Sequence, residues 1–309
     1  MARFARFLTA SPRWGIICVS VILFFLLSPF TLQAQDSAYV RRIICDLSSP
    51  AMYGRGMQHR GDSIAADYLR REFKALGVKP LCEDYFQYFQ FPQTRTKPPI
   101  VEAGYRSQNV CGYFPGKTDT MIVFTAHYEH LGMHGDTIFY GAHDNASGTA
   151  AVMDLARQLN TKHLPLNTKY TYVFLFFSGE ESGLIGSRHF AEHPLIPLDK
   201  VKLLVNIDLF CGGDEGLMVV NANAPETKPY VDMLEALNNQ YHYAAKIARR
   251  DNARNSDHYY FSSHCPAIFL FTLGGPFGGY HSPADTCDGC GLDNYINNMT
   301  LLRDFIKQL

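Results

Sequence analysis

The residues able to do chemistry in this chain sit just past its apolar runs. Met121–Ala126 ends at His127, and the run Tyr172–Phe177 leads through Ser178-Gly179 to Glu180-Glu181. Leu203–Ile207 is followed by Asp208, and Ile268–Thr272 leads through a glycine-rich loop, Gly274–Gly279, to Tyr280-His281. A further segment, Gly141–Gly148, carries Asp144 in a tight turn before a helix. Taken singly, each has a plainer explanation. Asp144 or Asn145 could cap the helix that follows. Adjacent Glu180 and Glu181 could be a solvated helix start favoured by the dipole, Asp208 could open a turn, and His281 could lie on a surface loop. Taken together they demand more. Carboxylates delivered to one rim repel each other unless a cation neutralises them, so a bound metal is the economical solution.

Ligand counting sets the number of ions. A catalytic zinc takes about three protein ligands plus water. Five candidates serve one zinc poorly but two well if one carboxylate bridges. His127, Asp208 and Asp144 make one set; Glu181, His281 and the same Asp144 make the other. Each ion keeps a position open for a shared water, and pairs about 3.5–4 Å apart are common in hydrolases. Glu180, next to a ligand but directed elsewhere, is then free to act as general base and later as proton donor.

Such a rim needs elements that end together. Met121–Ala126, Tyr172–Phe177, Lys202–Ile207, Leu217–Val220 and Ala267–Phe271 read as strands, several apolar on both faces. Asp62–Leu76, Ser147–Leu159, Leu184–Ala191, Pro229–Asn239 and Asp293–Gln308 read as helices, and residues 92–99 as a surface loop. The alternation predicts an α/β domain with a mostly parallel central sheet covered by helices on both sides, whose ligands collect beyond the carboxyl ends of the strands.

Composition bounds the rest. Of 309 residues, 47% are hydrophobic and 18% charged, with a formal net charge of −1, which excludes disorder and any basic excess for coating nucleic acid. The one long apolar run, Gly15–Leu27, has 13 residues. Crossing a bilayer takes roughly 20, so this run reads as a secretory signal over residues 1–34, cut near Ala34, not as a membrane anchor. Removal of Arg3, Arg6 and Arg13 leaves a mature charge of −4 and seven cysteines, an odd number. Export permits disulfides while leaving at least one thiol unpaired within the chain. Cys287 and Cys290 are the closest pair and could close a small loop. The remaining residues, 35–309, fit one domain.

With these residues in view, a resemblance is specific. His127-Tyr-Glu-His-Leu-Gly132, Gly141-Ala-His-Asp-Asn-Ala-Ser-Gly148, Gly179-Glu-Glu-Ser-Gly-Leu-Ile-Gly-Ser187, Asn206-Ile-Asp208, Ser256-Asp-His258 and Tyr280-His-Ser-Pro-Ala-Asp285 look like the co-catalytic di-zinc aminopeptidases of metallopeptidase family twenty-eight, in order. Early Gly54-Arg55-Gly56 fits the same pattern. The resemblance implies a three-layer zinc-exopeptidase fold. It implies two Zn2+ ions on His127, Asp144, Glu181, Asp208 and His281, bridged by Asp144. It implies Glu180 as acid/base and Tyr280 as donor to the oxyanion. The implied substrates are peptides with a free N-terminus, handled by an exported, periplasmic or secreted monomer. One departure stands out: the family has His-x-Asp at the first ligand, whereas here it is His127-Tyr128-Glu129. Glu129, one methylene longer, is expected to hold the imidazole tautomer from behind the ligand, the alternative being that it points away and leaves a weaker metal position. Alternatives on the same scaffold are a glutaminyl cyclase, a non-catalytic binding module and another amidohydrolase such as a carboxypeptidase.

Overall fold

Every residue of Met121–His127 is buried, as is all but the first of Thr171–Phe177. Strands with both faces covered must lie at the centre of a sheet. A computed structural model describes residues 30–160, 169–274 and 279–309, and there these segments are central. In chain order the strands are β1 (Lys79–Pro80), β2 (Phe86–Gln90), β3 (Arg106–Phe114), β4 (Met121–His127), β5 (Gly132–His134), β6 (Thr137–Phe139), β7 (Thr171–Phe177), β8 (Val201–Ile207), β9 (Gly216–Val220), β10 (Ile247–Arg250) and β11 (Ala267–Leu273). The helices are α1 (Phe30–Leu47), α2 (Gly61–Ala75), α3 (Ser147–Asn160), α4 (Ile185–Glu192), α5 (Lys228–Tyr241) and α6 (Tyr295–Gln308).

Among the described residues a nine-stranded sheet runs β1-β3-β7-β4-β8-β11-β9-β10, with β2 also on β3; β5 and β6 form a separate hairpin. Strands β7, β4, β8 and β11 are mutually parallel, while β3 and β9 join them antiparallel. The sheet is therefore mixed, with a parallel centre flanked by antiparallel pairings at β3 and β9, and with β10 parallel to β9 at one edge. Side chains alternate between two cores. Ile122, Phe124, Ala126, Phe174 and Phe176 join one face, covered by α1, α2, α3, α5 and α6. Met121, Val123, Val173, Leu175 and Phe177 join the other, with Phe190 of α4 and Phe261. Helix, sheet and helix make three layers.

The expected strands and helices all form, each within two residues of the expected ends. Helix α1 and strands β1, β2, β3, β5, β6 and β10 were not expected. The expected signal segment lies outside the described residues up to residue 29, and the backbone of 30–34 is helical. Among the described residues no helix is long and apolar enough to cross a membrane.

The expected Cys287–Cys290 loop is corrected. Cys287 bridges to Cys45 of α1, and Cys290 to Cys211 beyond β8, with Cα separations of 5.1 and 5.6 Å. The tight turn Cys287–Gly289 sends Cys287 and the following Cys290 to different neighbours, so the two bridges staple α1 and the chain beyond β8 to the segment before α6. Cys82, Cys111 and Cys265 stay free.

Candidate metal centre

Because β4, β7, β8 and β11 run the same way, their carboxyl ends open on one edge. His127 is the last residue of β4, Asp208 follows β8 directly, and Glu180 and Glu181 follow β7. Tyr280 and His281 lie beyond β11, after a loop whose residues 275–278 are outside the described residues. Asp144 comes from the turn before α3. Gly141 opens that turn at φ +59°, where a Cβ would meet the Asp144 carbonyl at 2.3 Å and the His130 ring at 2.5 Å. Only glycine suits such a position.

Hydrogen bonds then separate two neighbours that look alike in the sequence. Asn145 Oδ1 accepts the N–H groups of Gly148 (2.8 Å) and Leu209 (3.2 Å), and its amide donates to the Ile207 carbonyl at 3.1 Å. Asn145 is thus the capping residue, tied to the end of β8, and Asp144 faces the site. The Asp285 carboxylate accepts the backbone N–H groups of His143 (2.7 Å) and Asp144 (3.0 Å). Fully buried Arg55 donates to the carbonyls of Leu47, Tyr128, Tyr140, Gly141 and Asp144, clamping the turn to the chain just past β4. Burial lowers its guanidinium to about 10, against the pull of Asp285 and Asp144.

The Asp144 carboxylate divides the site in two. Its Oδ1 lies 3.3 Å from His127 Nε2, which is also 3.3 Å from Asp208 Oδ1. Its Oδ2 lies 3.1 Å from His281 Nε2, which is also 3.1 Å from Glu181 Oε2. His127, Asp144 and Asp208 form one compact set able to hold a metal ion, and His130, Asp144 and Glu181 form a second. Glu180 lines a cavity of about 180 Å³ with Asp144, Glu181, Asp208 and Tyr280, walled by Leu209, Phe269 and Phe271. Tyr280 is half-exposed and stacks on His281, ring centroids 3.9 Å apart.

Electrostatics favour a cation here. Burial alone would lower the His127 imidazole, yet Asp208, Glu180 and Asp144 outweigh it and hold the ring well above its ordinary range. Burial pushes the Glu180 carboxyl well above the carboxylate range, with Glu181, Asp257 and Asp208 adding to the shift and His127 opposing it. Burial likewise raises Asp257 to about 7. His130 Nδ1 and Glu181 Oε1 stand 2.9 Å apart, with no other hydrogen-bond partner among the described residues. Buried imidazole and carboxylate groups left with only each other form a mixed ligand set that suits zinc.

Two contacts around the ligands go beyond the sequence reading. His130 stands three residues after His127 and is fully buried beside Glu181, but its Leu-Gly-flanked position carries no strand-end signal. Ser256 donates to Asp208 Oδ2 at 2.9 Å and accepts from Asn206 at 2.8 Å, which orients the carboxylate. Glu129 stands behind His127, with its backbone carbonyl 3.2 Å and its Oε2 3.6 Å from His127 Nδ1, while its Oε1 accepts the Glu181 N–H at 3.0 Å. Glu129→Gln should weaken zinc binding roughly 10–100-fold by chelator competition. Unchanged affinity would show that the longer carboxylate does not support the ring.

His258 supplies a test of burial behind the site. It is fully buried against Phe269, ring centroids 5.4 Å apart, and burial pushes its imidazole down to about 4. In the unfolded chain a histidine titrates near about 6.5. As pH falls the unfolded chain therefore takes up this proton first, so the contribution is complete above about pH 6.5 and is lost between about 6.5 and 4. Going from about pH 7.5 to 5 should cost roughly 2 kcal/mol through this group. Urea unfolding of a His258→Phe variant should show that part of the pH slope removed; an unchanged slope would contradict the burial effect.

Residues 109–306 match the profile of Peptidase family M28. The maize protein named "Probable glutamate carboxypeptidase VP8" is 29% identical over 197 residues, covering 59% of this chain and 27% of that protein. This chain spans about a quarter to a third of the length of the first curated relatives it matches. Among solved structures, the Legionella pneumophila LapA aminopeptidase aligns with a TM-score of 0.63 at 22% identity, covering 87% of this chain and 70% of that one. Tannerella forsythia glutaminyl cyclase aligns with a TM-score of 0.70 at 17% identity, covering 90% and 98%. These two likenesses concern the fold. The family match covers well over half of the sequence and includes every strand-end residue from His127 to His281, so the chain belongs to Peptidase family M28.

Proposed function

We propose that this protein is an exported di-zinc aminopeptidase, with residues 35–309 as its catalytic domain after removal of a signal segment. The observation that supports it most is the division of the Asp144 carboxylate, Oδ1 toward His127 and Oδ2 toward His281. His127, Asp208 and Asp144 would hold one zinc. Glu181, His281 and Asp144 would hold the other, with His130 beside it. Bound zinc would supply Lewis acidity, polarising the peptide carbonyl and acidifying a water.

The chain's own residues do the rest. Glu180 takes a proton from the attacking water on its carboxylate and returns it to the departing amine. Burial pushes its carboxyl up from the ordinary carboxylate range, and cations beside it would favour the ionised form. Tyr280 donates its hydroxyl to the oxyanion that develops on the carbonyl, a contact worth about 3–4 kcal/mol in preorganised sites. Leu209, Phe269 and Phe271 wall the 180 Å³ cavity and offer an apolar surface to the substrate's first side chain. Export is supported by the Cys45–Cys287 and Cys211–Cys290 bridges, which belong in an oxidising compartment.

The test is hydrolysis of a panel of aminoacyl amides and dipeptides before and after chelation. Stepwise release of N-terminal residues, abolished by the chelator and restored by zinc, is expected. Ammonia from a Gln-initiated peptide without chain shortening would replace this reading with a cyclase.

A further inference from the structure

A second cavity, about 240 Å³, lies along the same two chain segments as the acid-lined one. The acid-lined cavity touches Glu180, Glu181 and Asn255; the second touches Ser182, Gly183 and Arg254, the residues next in line. Its charge is opposite. Arg95, Arg188 and Arg254 line it, and among the described residues no acidic one does. Arg95 is anchored on the metal-facing segment itself, donating to the Glu181 carbonyl at 3.0 Å. Arg188 is engaged only loosely, its Nε 3.9 Å from Glu192 on the solvent side, and Arg254 lies 5.6 Å from the Tyr260 ring centroid. Two of the three guanidinium groups are thus free to take a planar anion, which Arg binds bidentately.

We propose that this cavity is a carboxylate-binding subsite for the portion of the substrate on the leaving side of the scissile bond. The inference rests on the aminopeptidase reading and deepens it. With the first side chain held against the apolar wall of the acid-lined cavity, the remainder of the peptide leaves along Glu181–Gly183, past Arg95. A positive end there repels an N-terminus and attracts a carboxylate, so the two cavities orient the peptide in one direction. The preferred substrates are short peptides with a carboxylate just after the cleaved bond. It comes either from an acidic second side chain or from the free C-terminus of a dipeptide.

The experiment compares Leu-Gly-amide, Leu-Asp-amide and Leu-Gly with the wild-type protein and an Arg188→Gln/Arg254→Gln double variant. Wild type should show kcat/KM about 10–100-fold higher for a carboxylate-bearing substrate than for Leu-Gly-amide, mostly in KM, the size expected of a charge-assisted contact at a solvent-open cavity. Preference for Leu-Asp-amide would identify the side chain as the source, and preference for Leu-Gly the C-terminus. The double variant should lose the preference while hydrolysing Leu-Gly-amide at the wild-type rate. Equal kcat/KM across the three substrates, or a preference that survives in the variant, would overturn the subsite. Hydrolysis of Leu-Gly-amide reads the underlying activity separately, so failure of that reading and failure of the subsite are distinct results.

Discussion

On the di-zinc reading proposed above, replacing Asp144 by alanine should strip both zinc ions together. Every other ligand serves one position, but this carboxylate offers Oδ1 to the His127 side and Oδ2 to the His281 side. Loss of a supporting partner behind a ligand costs about 10–100-fold in metal affinity. Loss of a shared ligand should exceed that at each position, so metal analysis after dialysis should find bound zinc falling from two per chain to near zero. His281→Ala is the contrasting case and should empty mainly the position it shares with Glu181. Full retention of one zinc in Asp144→Ala would mean that the carboxylate does not bridge.

The second large effect concerns turnover without metal loss. Glu180→Ala should keep both zinc ions, because the carboxyl lines the cavity beside the ligand sets without belonging to either. Without a group to move the proton, kcat should fall by about 10²–10⁴-fold. KM should change little, since the apolar walls and the other acids remain. Near-normal turnover would place the base elsewhere, and Asp257, buried close enough to raise the Glu180 carboxyl, is the first residue to examine in that event.

His127, Glu180, Glu181 and Asp208 were legible because they follow runs of buried apolar positions, and the parallel centre of the sheet follows from runs apolar on both faces. What escaped did so for physical reasons. Strand β3 carries Ser107, Gln108 and Asn109, all buried, and reads as polar; their side chains are satisfied by Asp62, Tyr128, Gln87 and the Gly186 carbonyl, all distant in sequence. Asp285 supports the Asp144 turn from 141 residues away, a pairing that no local pattern carries. Arg55 stood in a recognised motif, but its role is spread over five carbonyls that only the fold assembles. The cysteines fail for the same reason: Cys45 and Cys287 are 242 residues apart, whereas proximity in sequence pointed to Cys287 and Cys290. His130 lacks a strand-end position altogether, and its partner Glu181 arrives from another strand.

The central claim is that two metal positions share one carboxylate. Anomalous scattering from a crystal of the zinc-loaded protein, collected across the zinc absorption edge, measures this directly. The account predicts two peaks about 3.5–4 Å apart flanking Asp144, one against His127 and Asp208, the other against Glu181 and His281. A single peak at full loading, or two peaks that do not flank Asp144, would contradict it.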